Sequence, residues 1–176
     1  MADLNNDVIN NIFTRRSVRN FSDKAIDIES IKTIIEAGCY APSGMNKQSW
    51  KFTAVTNQEI IKELYTTMEK VLGRDNYNFY NSQVLIIPSN DRESKWGCED
   101  NACALQNIFL ASHSLEIGSY WINQLNGICD HEEIRAILDK LEIPKEHIIY
   151  GFAGLGYSST EPRGKVNKKS NYVIIE

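Results

Sequence analysis

Apolar positions recur along the chain with helical and extended spacings in turn, and that alternation sets out its elements. Leu4, Val8, Ile9, Ile12 and Phe13 fall near a helical period over residues 3–14. Asp27 stands as an N-cap before residues 28–40, where Ile28, Ile31, Ile34, Ile35 and Cys39 share one face. Pro42 disfavours helical backbone at Ala41, so this helix stops at the polar loop running from Ala41 to Trp50. Lys51–Val55 reads as a strand. Asn57 opens a helix carrying Ile60, Ile61, Leu64, Met68, Val71 and Leu72. Residues 73–82 are polar and aromatic without a period. Gln83–Ile87 is a continuous β-rich run, as a central strand buried on both faces would be. Pro88 is expected to end it, leaving 89–96 as charged loop.

A long helix follows from Gly97 to Leu115, with small residues that admit a close helical neighbour and Gly118 as the residue that terminates it. Ser119–Ile122 reads as a short strand. Asp130 is expected to cap a helix bearing Ile134, Ile137, Leu138 and Leu141. His147–Leu155 reads as a strand, Gly156–Lys169 as loop and Asn171–Glu176 as a last short strand. This intermixed order predicts an α+β fold, one sheet packed by helices, in a single domain over residues 1–176. The apolar terminal run either pairs within its own sheet or crosses to a partner chain, because an uncovered edge strand invites pairing. The second option is an intertwined homodimer.

Composition narrows the function classes. Apolar residues make up 42% and charged residues 24%, with a net charge of −4 and a pI near 5.5. That balance argues against nucleic acid as partner, since such binders depend on basic surface. The cations cluster instead at 15–19 and 163–169, a distribution suited to a small anionic ligand. No apolar run reaches the length of about 18 residues that spans a membrane, and the N-terminus has no signal-peptide pattern. The four cysteines form no CxxC pair and stand at no metal-ligand spacing from His113, His131 or His147. Neither a disulfide framework nor a metal site is expected, and free thiols fit a cytoplasmic protein. Cys39 and Cys103 read as small apolar residues on buried helix faces.

The chemistry concentrates in Arg15-Arg16-Ser17-Val18-Arg19-Asn20-Phe21, which sets three cations and a hydroxyl within five residues. As a site it is a phosphate-binding strip. As plain structure it is solvated surface, or a set of charges placed at the C-terminal end of the preceding helix. Gly154-Leu-Gly156-Tyr-Ser-Ser resembles a dinucleotide fingerprint, but too little chain follows for the helix and second strand it needs, so its glycines are expected to mark a turn where backbone approaches a ligand or another chain. No serine or cysteine sits with a plausible base. Glu99 and Asp100 read as compensation of the long helix's dipole, and Trp50 and Trp121 as core.

Four blocks, RRSVRNF at 15–21, APSGMNKQSW at 41–50, DNACALQNIFLASHSLEIGSYWI at 100–122 and GLGY at 154–157, together resemble the nitroreductase family of FMN-dependent oxidoreductases. The resemblance implies a central, mainly antiparallel sheet flanked by helices, in a homodimer whose C-terminal strand extends onto the partner's sheet. It implies FMN at the dimer interface. Arg15, Arg16 and Ser17 match the positions that grip the phosphate and ribityl chain, and Arg19 a basic position near the pyrimidine edge. Pro42, Ser43, Asn46 and Gln48 match the loop that reaches the flavin, commonly from the other subunit. Trp121, Ile122, Asn123 and Gln124 match the segment along the isoalloxazine, with a backbone N–H around Asn123 or Gln124 facing N5. Arg163 and Lys165 fall where the family carries a late basic pair for the phosphate.

The implied activity is transfer of electrons from NAD(P)H to nitro, quinone or similar electron-poor acceptors in a ping-pong cycle, with the protein supplying binding, orientation and electrostatics. The chain departs from the family pattern at Ser49, where a proline is usual, at Glu116, and in the Arg-x-Lys order of its late basic pair. The short 73–97 region implies a more open site, or one capped by Tyr77, Phe79 and Tyr80. Two other functions fit the same residues: a flavin-binding or storage protein with little turnover, and a dimeric interaction module whose Arg strip binds a protein.

Overall fold

The computed structural model describes residues 6–160 and 168–175. Its elements run α1 (Asp7–Thr14), α2 (Ile28–Cys39), β1 (Trp50–Val55), α3 (Gln58–Leu72), β2 (Val84–Asp91), α4 (Gly97–Ser114), β3 (Gly118–Ile122), α5 (Glu132–Lys140), β4 (His147–Ile148) and β5 (Phe152–Gly156). The sheet order is β1-β2-β5-β3, with β4 paired to the far end of β2, and every pairing between named strands is antiparallel.

The sheet is covered on both faces, and β2 shows how the sequence arranges it. Its alternate residues Val84 and Ile86 join Ile31 and Ile34 of α2 and Leu105 and Ile108 of α4 in one core. Leu85 and Ile87 face the other way, into a core with Ile61, Leu64 and Met68 of α3 and Ile134, Ile137 and Leu138 of α5. A strand buried on both sides has no polar alternation, which is why β2 reads as one apolar run. α2 packs closely on α4 at Gly38, where an added Cβ would lie 3.0 Å from Ile108. Asp27 and Asn57 cap α2 and α3 through their side chains, to the N–H of Ser30 and to those of Glu59 and Ile60.

Several boundaries differ from the sequence reading. Pro88 does not end β2; the strand continues to Asp91. Pro88 lies opposite Phe52 of β1, while on the other side β5 pairs only as far as Ile86 and β4 begins only at Asn90. The missing N–H thus falls in a gap of the ladder. Gly118 does not terminate α4. The left-handed residue there is Glu116, at φ +59°, and Gly118 already belongs to β3. Asp130 does not cap α5, whose N-cap is His131; its carboxylate takes a two-pronged bond from Arg92 at 2.9 and 3.2 Å. The run from His147 to Leu155 splits into β4 and β5 around Ile149–Gly151. Residues 171–175 form no strand, and Tyr172, Val173, Ile174 and Ile175 are exposed. Cys39 is exposed and Cys103 half-buried; Cys129 is the buried cysteine, and all four thiols are free.

Candidate functional site

The cationic strip is laid along the open edge of β3. Ser17 forms a parallel bridge with Ser119, and the Val18 N–H donates to the Ser119 carbonyl at 3.0 Å. An edge strand is thereby covered by the chain's own backbone. Two glycines make this possible. Gly118 and Gly156 are cross-strand partners, and a Cβ on either would lie 2.8 Å from Val18 or 2.7 Å from the Phe21 ring. The late glycines lie within β5 rather than at a turn: Gly156 marks a close approach to this strip, whereas a Cβ on Gly154 would meet Tyr120 and Ser82. Buried Phe21 anchors its far end, donating from its N–H to the Tyr80 carbonyl at 3.3 Å.

The strip's charges occupy different surroundings. Arg16 Nη1 donates to the carbonyls of Phe13 and Arg15, at 2.7 and 2.8 Å, so it closes the C-terminal end of α1. Its Nε is buried without a partner. Burial, then the neighbouring Arg16, lowers the pKa of Arg15. His113 of α4 lies in the same field, bonded through Nε2 to Thr14 Oγ1 at 2.8 Å, with its pKa lowered by burial and then by Arg15 and Arg16. An anion beside Arg15 and Arg16 would relieve this crowding of like charge. Arg19 points away from them, its guanidinium 5.7 Å from the centre of the Tyr120 ring.

Beyond Arg19 opens a cavity of about 460 Å³. Arg19, Trp121, Ile122 and Gln124 line it, together with the stretch Arg74–Tyr80 and Tyr120. The loop at 73–82, without period in the sequence, is thus a wall of this cavity. Phe79 fixes it, stacked edge-on against Tyr65, Tyr77 and Phe152 at 5.6 to 5.8 Å. Asn123 is not among the lining residues; it is exposed, its Oδ1 accepting from the Trp121 indole at 3.3 Å. Trp121 is partly exposed rather than core, resting against Gly151 and Phe109.

Pro42, Ser43, Asn46 and Gln48 are not among the residues lining this cavity. Their loop makes one 3-10 turn at Gly44–Asn46, and Met45, Asn46 and Gln48 all adopt positive φ. Ser43 Oγ accepts from the Gln48 N–H, and the Gln48 amide donates to Asn46 Oδ1. The residue that holds the loop is Asp100, buried in the first turn of α4: its Oδ1 accepts from the Gly44 N–H at 2.8 Å. Trp96 closes over Gly44 so tightly that a Cβ there would lie 2.5 Å from the indole. Reading Asp100 as dipole compensation missed this; the signal available was an acidic residue at the start of a helix that is apolar on that face. Arg163 and Lys165 lie outside the described residues. Among the described residues no group of histidine, cysteine or acidic side chains could hold a metal.

Comparison with known proteins gives the family. The profile of the nitroreductase family matches residues 12–74 and 67–157. An Archaeoglobus fulgidus protein provisionally named as an NADH dehydrogenase/NAD(P)H nitroreductase is 32% identical over 155 residues, covering 85% of this chain and 84% of that protein. Among solved structures, a Bacteroides fragilis nitroreductase with bound FMN is 37% identical, with a TM-score of 0.91 over 98% of this chain and all of that one. A Desulfitobacterium hafniense nitroreductase, at 23% identity and a TM-score of 0.84, shares the fold. The chain belongs to the nitroreductase family.

Proposed function

We propose that the chain is an FMN-dependent oxidoreductase that draws electrons from NADH or NADPH and delivers them to small electron-poor acceptors such as nitro compounds and quinones. The observation that carries this reading is the strip on the β3 edge, with a desolvated Arg15, an unpartnered Arg16 Nε and a donor-lined cavity beyond Arg19. FMN fits such a cradle, because a phosphate meets planar guanidinium groups at one end and an acceptor-rich ring meets Arg19, Trp121, Ile122 and Gln124 at the other. When bound, FMN supplies the hydride and electron chemistry.

The chain's own residues then bind and orient. Arg15, Arg16 and Ser17 hold the phosphate end, and Arg163 and Lys165 are assigned to the same end. Arg19 places positive charge beside the ring and favours added electron density there. The Gln124 backbone N–H and side-chain amide stand at the ring's reactive edge. Pro42, Ser43, Asn46 and Gln48 serve the site of a second copy, in keeping with a loop that stands apart from the cavity lined by Arg19. A homodimer of single-domain chains covers the exposed Val8, Phe13 and Tyr172–Ile175 and receives the C-terminal segment.

The protein should purify yellow or take up FMN, and the bound flavin should bleach under NADH or NADPH without oxygen. An acceptor panel under anaerobic conditions should give parallel-line kinetics, the mark of a ping-pong cycle. A colourless protein that cannot be reconstituted with FMN would refute the proposal. Reduction no faster than that of free FMN would favour a flavin-storage role.

A further inference from the structure

Two donors converge on a single oxygen at the cavity wall. The Asn123 backbone N–H donates to Gln124 Oε1 at 3.1 Å, and the Tyr77 hydroxyl donates to the same oxygen at 3.2 Å. A backbone N–H can only donate, so the Asn123 bond settles the orientation of the Gln124 carboxamide: its oxygen faces both partners and its NH₂ faces away. Nε2 has no protein acceptor among the described residues, and Gln124 lines the cavity.

Tyr77 is suited to hold this arrangement. Its ring is half-buried and stacked edge-on against Phe79 at 5.8 Å, and Phe79 is itself fully buried against Phe152. Burial pushes the Tyr77 hydroxyl up to about 12, so it remains a proton donor across the physiological range. A glutamine side chain free to rotate would lose entropy on accepting a ligand; one already held by two hydrogen bonds loses less.

We infer that Tyr77 is a positioning residue for Gln124, locking its carbonyl over the Asn123 N–H and presenting its NH₂ as a fixed donor to an acceptor atom of the flavin ring. The inference rests on the FMN reading for the identity of the ligand, and on this chain's geometry alone for the lock. The lock also gives the Asn123 N–H a protein acceptor in the flavin-free protein.

Two variants separate the parts. Tyr77→Phe removes one donor and keeps the ring. Gln124→Glu keeps an oxygen for both donors but has no NH₂ to offer. The Asn123 amide exchange rate is measured by NMR in the flavin-free protein, and the FMN dissociation constant and bound-flavin absorption spectrum in the loaded one. Tyr77→Phe should speed Asn123 exchange and weaken FMN binding roughly 3- to 10-fold. Gln124→Glu should leave Asn123 protected yet weaken FMN at least as much and shift the visible spectrum. Unchanged Asn123 exchange in Tyr77→Phe would overturn the lock. Unchanged affinity and spectrum in Gln124→Glu would overturn the donor role. A wild-type protein that binds no FMN would overturn the flavin reading and the donor role together, while the exchange comparison would still decide the lock.

Discussion

Gly118 carries a constraint that belongs to one atom. A Cβ there would stand 2.8 Å from the Cβ of Val18, and neither backbone can retreat without breaking the Ser17–Ser119 bridge. Gly118→Ala should therefore destabilise the protein by about 1 to 3 kcal/mol and weaken FMN binding by lifting the strip from the sheet edge. The double variant Gly118→Ala/Val18→Gly, which also removes the opposing Cβ, should recover part of both losses, as a double-mutant cycle in thermal melts and FMN titrations would reveal. His113 and His147 give a pH dependence of definite sign. Burial lowers the pKa of each from its ordinary value of 6.5. The folded state thus binds fewer protons than the unfolded one, so their contribution is complete above pH 6.5 and is lost as pH falls through the folded values. Melting temperature should fall from pH 7 toward pH 5, and His113→Gln/His147→Gln should flatten that slope. At this scale the sequence revealed which cations gather, because Arg15, Arg16 and Arg19 are neighbours in the chain. It did not reveal that Arg16 also closes α1, or that Tyr77 meets Gln124 across 47 positions.

Among elements, the loop at 41–50 and the start of α4 act as one unit. Asp100 accepts from Gly44, Trp96 covers that glycine, and positive φ angles at Met45, Asn46 and Gln48 are held in place as a result. Asp100→Leu leaves the Gly44 N–H without its partner, a loss on the order of 1 to 3 kcal/mol. It should also loosen the loop, visible as faster amide exchange over 42–48 and reduced FMN retention. The elements themselves were largely legible, because helix faces, N-caps and the apolar β2 run are local signals. The misplaced boundaries share one cause. Whether Pro88 ends a strand depends on which neighbours pair beside it, and whether Asp130 caps a helix depends on Arg92 from a distant loop. Neither is written within a few residues of the position concerned. The proposed site was drawn from contiguous blocks of sequence, local signals like those of the helices. The Arg74–Tyr80 wall of the cavity is an aromatic stack assembled from three parts of the chain, and it has no local period to read.

Among the described residues, exposed apolar side chains at both ends of the chain fit the proposed homodimer. Ile174 and Ile175 are 75% and 89% exposed, and Val8 and Phe13 of α1 are each 68% exposed. Patches of this kind mark association surfaces. A chain ending at Ser170 should lose dimer stability, seen as a concentration-dependent shift toward the monomer in sedimentation, and should lose FMN in step. The central claim is that the Arg15–Arg19 strip is one wall of an FMN site. It is tested most directly by titrating FMN into the wild-type protein and the Arg15→Ala/Arg19→Ala variant, with flavin fluorescence as the readout. With a charge-assisted hydrogen bond lost at each end of the strip, affinity should fall by about 10²-fold or more while the fold persists. Equal FMN affinity in the two proteins would contradict the account and leave the strip as a surface for a protein partner.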